Sequence, residues 1–173
     1  MRSEVGMDYA PLRDLLAAGL WFDAYQETKR VMRTVAREKV GYMNEGRLYI
    51  EHIQQFPCLD LRTIDQLWGD YSNGHFGFSV QKRIYQSLGG TQRYSPDIWQ
   101  AFCDHVGWPL IANDHELIFN INALPGHLPA VFNVDLVAFD SYDGFAYWVT
   151  TGQSHEGLCL FGSFFKLAEI CKL

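Results

Sequence analysis

The feature that most constrains the fold is a run in which Trp21, Ala24, Tyr25, Thr28, Val31, Met32 and Val35 recur at spacings of three and four. An α-helix, with about 3.6 residues per turn, gathers such positions onto one face, whereas a strand alternates at every second residue. Asp23 and Glu27 stand early in the run, and Arg33, Arg37 and Lys39 stand late. The helix dipole favours that order. A long amphipathic helix is therefore expected, and its apolar face requires other elements to cover it.

The flanking segments supply candidates of the same kind. Leu12, Leu15, Leu16 and Leu20 follow Pro11 at helical spacing, with Gly19 as a stop. Residues 40–57 contain Gly41, Gly46 and Pro57, which predicts a loop with at most one helical turn around 50–55. Ile64, Leu67, Trp68 and Tyr71 mark a helix over 59–71 that ends at Ser72-Asn73-Gly74. Val80, Ile84 and Leu88 mark the next, with Ser79 as its candidate cap. Ser95-Pro96 opens another, in which Ile98, Phe102 and Val106 share a face before Gly107. From 108 to 157 the pattern breaks into short apolar pieces, of which 134–139 and 145–150 alternate enough for strands. A final helix is expected over about 158–170. The predicted fold class is all-α: one compact domain over 8–173 after a short tail at 1–7, with a long irregular loop region before the last helix.

Length and charge narrow the function. A chain of 173 residues with 48% hydrophobic and 20% charged residues is suited to one soluble globular domain with an ample core. Its net charge of −6 argues against sequence-independent nucleic-acid binding, which needs a basic footprint. No lysine or arginine lies between Arg93 and Lys166, while Asp97, Asp104, Asp114, Glu116, Asp135, Asp140, Asp143 and Glu156 do. An anionic ligand is thereby directed to the near-neutral first half. Glu4, Asp8, Arg13 and Asp14 interrupt any apolar run at the start, so neither a signal peptide nor a transmembrane segment is expected. A cytoplasmic or equivalent compartment follows. Cys58, Cys103, Cys159 and Cys171 form no CxxC pair, which suits buried thiols in a reducing compartment better than zinc or a disulfide framework.

No catalytic constellation emerges. Cys103, Asp104 and His105 are consecutive on a predicted helix and cannot converge on one point. His115-Glu116 lacks the second histidine of a zinc-protease motif, and Gly74 and Gly77 form no phosphate loop. A non-enzymatic role is expected, with no required cofactor and no metal site.

Specific resemblance lies in the block FPCLDLRTIDQLWGDYSNGHFGFSVQKRIYQSLGG from Phe56, together with the opening DYAPLRDLLAAGLWFDAYQETKRVM, Gly107-Trp108, the tetrad Gly126-His127-Leu128-Pro129 and the terminal Cys171-Lys172-Leu173. With these motifs the chain resembles the Gun4-type family of porphyrin-binding proteins over about 8–130 and the final helix. The resemblance implies a bare, all-helical core domain shaped like a cupped hand, with a greasy cleft for protoporphyrin IX or Mg-protoporphyrin IX. It also implies a non-catalytic regulator that stimulates magnesium chelatase, in chlorophyll biosynthesis, through the large porphyrin-carrying subunit. Cytoplasm or plastid stroma would be its place, with peripheral membrane association compatible.

A porphyrin is a flat apolar disc with two ionised propionates, so it requires apolar walls and cations at the rim. Arg30, Arg33 and Arg37 project from one side of the second helix, and Arg37 best fits the family's basic position. The competing reading is a solvated, basic helix end. Candidate walls are Val31, Val35, Leu48, Ile53 and Phe56, with Leu124, Leu128 and Phe132 around the Gly-His-Leu-Pro turn; the competing reading makes most of them core. His127 is either near the pigment or a turn histidine bonded to backbone. Asp60 and Asp65 read as a helix cap and a buried polar partner. Two departures from the family stand out: the loop after the tetrad has no arginine, and 109–120 has no tryptophan. The alternative is therefore a diverged sensor or interaction domain that binds a linear tetrapyrrole (bilin) or regulates another partner.

Overall fold

A computed structural model of the chain describes residues 1–41, 48, 50–91, 95–109, 116–130 and 160–173. Among the described residues there are seven helices and no strand, as the all-α expectation required. They are α1 (Ala10–Ala17), α2 (Trp21–Val40), α3 (Ile50–Gln54), α4 (Cys58–Tyr71), α5 (Phe78–Ser87), α6 (Pro96–Val106) and α7 (Leu160–Ile170). The segments 134–139 and 145–150, expected as strands, lie outside the described residues, as do Cys159, Phe132 and the late acids Asp135, Asp140, Asp143 and Glu156.

Helix α2 runs for 20 residues, about 30 Å at 1.5 Å per residue. It packs against α1 and α3, α1 also packs on α4, α5 packs on α6, and α7 crosses back onto α3, α4 and α5. The apolar repeat read from the sequence is the buried face: Ala24, Tyr25, Val31, Met32 and Val35 are all at 1% exposure or less. Trp68 on α4 is fully enclosed, and its indole Nε1 donates to Thr28 Oγ1 at 3.0 Å. That hydroxyl donates in turn to the carbonyl of Ala24 at 2.7 Å. A buried tryptophan needs such a partner, and here one threonine on α2 supplies it. A second aromatic group joins the later helices, with Tyr85 stacked on Phe165 at 4.2 Å and Phe102 edge-on to Tyr85, Phe165 and Trp108.

Three local expectations are corrected. Ser79 does not cap α5, which begins at Phe78 after Gly77. The free N–H of Ser79 is instead satisfied by Asp65 Oδ1 at 2.8 Å, reaching across from α4. Asp65 is thus the capping group, and Asp60 is the buried polar partner: it is fully enclosed and accepts from Ser3 Oγ, from the Glu4 N–H at 2.8 Å and from the Tyr9 hydroxyl at 2.8 Å. Their anticipated roles are exchanged. Gly77 is required here, because its φ is +121° and a Cβ would stand 2.9 Å from Asp65 Oδ1.

The cysteines depart most from expectation. Cys58, at the start of α4, is joined to Cys171, just past α7, in a disulfide with the Cα atoms 5.0 Å apart. The partners are 113 residues apart in sequence, so no spacing motif announces them; the return of α7 onto α4 brings them together. Cys103 does match expectation, a buried thiol whose pKa burial pushes up to about 12.

Candidate functional site

The three arginines of α2 have different fates. Arg30 is exposed and turned to Glu27, with Nε and a terminal nitrogen donating at 2.7 and 2.6 Å. That fork-to-carboxylate pair uses the guanidinium locally and holds its pKa up. Arg37 is exposed near the helix end. Arg33 is half-buried, and its Nε is sealed from solvent with no hydrogen-bond partner among the described residues. A buried N–H on a charged group that goes unmatched is expensive, so Arg33 is the arginine that the fold itself does not explain.

Arg33 is not alone on that side. Tyr25, Lys29 and Arg33 are spaced by four and so lie along one stripe of α2. Lys29 is 4% exposed, with its ammonium 4.5 Å from the centre of the Tyr25 ring, a cation–π arrangement. Phe119 lies against both Tyr25 and Phe22, with centroids 5.2 and 5.1 Å apart. Two cations therefore share a helix face bordered by aromatic rings. Sequence reading missed Lys29 and Phe119; the signal was the Tyr25-Lys29-Arg33 ladder, hidden because Tyr25 already belonged to the apolar repeat.

The apolar candidates separate as clearly. Val31, Val35, Leu48 and Ile53 are fully buried, Phe56 is 3% exposed and Leu128 is fully buried. All six belong to one core cluster. Leu124 is 48% exposed and stands apart from that core at the surface. Phe132 lies outside the described residues.

His127 is part of a dense polar lattice. Its Nδ1–H donates to the Val106 carbonyl at 2.7 Å, and its Nε2 accepts from the Ile118 N–H at 2.9 Å. Both ring nitrogens are thereby engaged in the neutral form, and burial lowers the pKa accordingly. The carbonyl of His127 takes the Trp108 indole N–H at 2.7 Å. Gln81, 1% exposed, donates to the carbonyls of Gly126 and Pro129 at 2.9 and 3.0 Å. Gly126 has φ +76°, and a Cβ there would stand 2.9 Å from Ile84, so only glycine turns the chain here. The Gly-His-Leu-Pro turn is a structural joint between α5, α6 and the segment 116–124.

Among the described residues no cluster of His, Cys, Asp and Glu could hold a metal ion, and no helix is long and apolar enough to cross a membrane. What the α2 stripe offers chemically is cationic charge beside aromatic and aliphatic surface, the two properties that an amphipathic anion recognises.

Comparison with known proteins gives a consistent picture. A family described as GUN4-like matches residues 2–143. The chain is 32% identical to a "Ycf53-like protein" of Synechocystis sp. over 131 residues, 75% of this chain and 53% of that protein. It is 26% identical to the "Tetrapyrrole-binding protein, chloroplastic" of Arabidopsis thaliana over 61% of this chain and 42% of that protein. The chain thus spans about half the length of the curated relatives it matches. Among solved structures, GUN4 from Chlamydomonas reinhardtii superposes with a TM-score of 0.64 at 27% identity, covering 84% of this chain and 88% of that one. The ligand-free GUN4 of Arabidopsis thaliana gives 0.57 at 25% identity, covering 72% and 84%.

Proposed function

The chain belongs to the GUN4 family, and from that premise we propose that it is a non-enzymatic tetrapyrrole-binding protein whose ligand is protoporphyrin IX or its magnesium complex. The observation that carries this reading is Arg33, a guanidinium with a sealed and unmatched Nε beside the buried ammonium of Lys29. A propionate supplies the countercharge that this half-buried guanidinium lacks among the described residues, and arginine meets carboxylates with two parallel hydrogen bonds. Phe22, which is exposed, and the half-buried Phe119 border the same stripe and offer ring surface to a flat pigment, with the buried Tyr25 ring behind them. The family relationship to a chloroplastic tetrapyrrole-binding protein supports the ligand class.

The finer role in this reading is regulation of magnesium chelatase through its large subunit, in chlorophyll biosynthesis, from the cytoplasm or the plastid stroma. Of the other sequence candidates, Arg37 at the end of α2 meets no acid among the described residues, whereas Arg30 is committed to Glu27. His127 serves the turn rather than the pigment.

The test is a titration with protoporphyrin IX, Mg-protoporphyrin IX and a bilin, read by quenching of tryptophan fluorescence and by the pigment's absorption shift. Saturable binding of the cyclic pigments, weakened about tenfold in Arg33→Met and unchanged in Arg30→Met, is the expected result. The second reading, a diverged sensor, is favoured by one observation, the absence of any lysine or arginine between Arg93 and Lys166. Selective bilin binding, or none, would establish it in place of the first.

A further inference from the structure

A half-open groove of about 730 Å³ lies between the first residues of the chain, α1 and α4, and no residue of α2 lines it. Its walls include Arg2, Arg13, Arg62, Leu67, Asp70 and Tyr71. Three arginines and one acid thus line the groove, in a chain whose net charge is −6. The volume falls within the range of small-ligand sites, roughly 300–1,000 Å³.

Arg62 and Arg2 differ from the paired cations of the surface, among which Arg13 of the same groove belongs. Arg30 is paired with Glu27, and Lys39 with Glu4. Arg13 is paired with Asp14. Arg62 instead donates its Nε–H to the carbonyl of Cys171 at 2.6 Å, which sets the plane of the guanidinium and leaves its terminal nitrogens without an acid among the described residues. Arg2 is pinned through its backbone, because its carbonyl accepts from the Thr63 hydroxyl at 2.7 Å; its side chain likewise meets no acid there. The Arg62 guanidinium is thus held by a bond that does not use up its charge, and the Arg2 backbone is anchored beside it. A concavity focuses that charge onto whatever enters it.

We propose that this groove binds an oxyanion, a phosphate or carboxylate carried on an aromatic or apolar body. Arg62 and Arg2 take the oxygens, and Leu67 and Tyr71 meet the body. Tyr71 is 38% exposed and Leu67 is 6% exposed, so one offers a ring and the other closes the floor. Asp70 repels a second negative charge and favours a ligand with one anionic end. The proposal stands apart from the tetrapyrrole reading, because the two sites share no residue.

The experiment is calorimetric titration of the full chain with phenyl phosphate, with inorganic phosphate and with vesicles containing phosphatidic acid as separate arms. Saturable binding of phenyl phosphate, weaker binding of inorganic phosphate and a fall in affinity with salt are expected. Arg62→Gln should weaken binding about tenfold. Arg2→Gln should do so as well; its side chain has no partner among the described residues, so it separates lost recognition from lost folding. Binding to the vesicles alone, with the same arginine dependence, would assign the oxyanion to a lipid headgroup rather than a free molecule. Binding to no probe, or binding indifferent to both substitutions, overturns the proposal. Arg2→Gln leaves protoporphyrin binding intact and Arg33→Met leaves phenyl phosphate binding intact, so failure of either reading is visible separately.

Discussion

The polar groups Asp60, Asp65, Gln81 and His127 and the cationic stripe on α2 show buried polar chemistry handled in opposite ways. Each of the four side chains is matched within the fold: Asp60 by three donors, Asp65 by the N–H of Ser79, Gln81 by two carbonyls, His127 at both nitrogens. On α2 a guanidinium nitrogen is sealed and left over. Folding free energy explains the first arrangement completely and is reduced by the second. The contrast separates residues that maintain shape from residues held for something outside the chain, although both kinds are polar and both are partly or wholly buried.

On that division the largest effects on stability come from the matched polar groups and from the disulfide. Asp60→Ala removes the acceptor of Ser3, Glu4 and Tyr9 together and leaves a buried phenol unmatched. A loss of about 3–5 kcal/mol in urea unfolding is expected; a loss below about 1 kcal/mol would break the comparison at its strongest point. Next comes the disulfide. Closing a loop of 113 residues restricts the unfolded chain, and replacing Cys58 and Cys171 together with Ser should lower stability by about 2–4 kcal/mol. Reductant added to the unsubstituted chain should produce the same shift in the unfolding midpoint and none in the double variant.

His127 sharpens the comparison through pH. Its folded pKa lies below the ordinary 6.5 because burial disfavours the charged ring. Between the folded and unfolded values the unfolded chain binds more protons, so stability rises with pH there and falls as pH drops below about 6.5. Above that value the contribution is complete. His127→Asn should lower stability by about 1–2 kcal/mol at neutral pH through the lost bond to Ile118, and it should flatten the difference in slope between pH 5 and 6.5. Equal slopes in the two proteins would place the imidazole in water rather than in the joint.

Legibility in the sequence followed the range of each interaction. Helices α1, α2 and α4 to α7 were visible because three-and-four spacing and flanking Gly, Pro and Ser are local signals; of the buried face of α2 only Lys29 and Ala36 escaped the reading. The exchange of Asp60 and Asp65 was invisible, since their partners Ser3, Tyr9 and Ser79 lie 57, 51 and 14 residues away. The Cys58–Cys171 bond was invisible for the same reason. At the candidate site the arginines were legible as a set, yet not which of them the fold would use: Glu27 claims Arg30 three residues away, while the burial of Arg33 depends on α2's place in the tertiary packing. Lys29 went unseen because a lysine inside an apolar repeat reads as an interruption, and only the Tyr25 ring beside it gives it a place.

The smallest expected effect is the most discriminating. Arg30→Met breaks an exposed ion pair between residues three apart on a helix, and such pairs contribute about 0.2–0.5 kcal/mol. Arg33→Met removes a charge whose sealed Nε has no partner, and puts an unbranched apolar chain along the same path. Stability should be unchanged within about 0.5 kcal/mol or should rise, since desolvation of an unmatched group no longer opposes folding. The two variants would then be nearly indistinguishable by unfolding, while tetrapyrrole binding falls only in Arg33→Met. A guanidinium that can be deleted without harm to the fold, and not without harm to binding, is one that folding did not require. A loss of about 2 kcal/mol in Arg33→Met would instead show that Arg33 is matched in solution, like Asp60 and His127, and would return α2 to the class of elements that maintain shape.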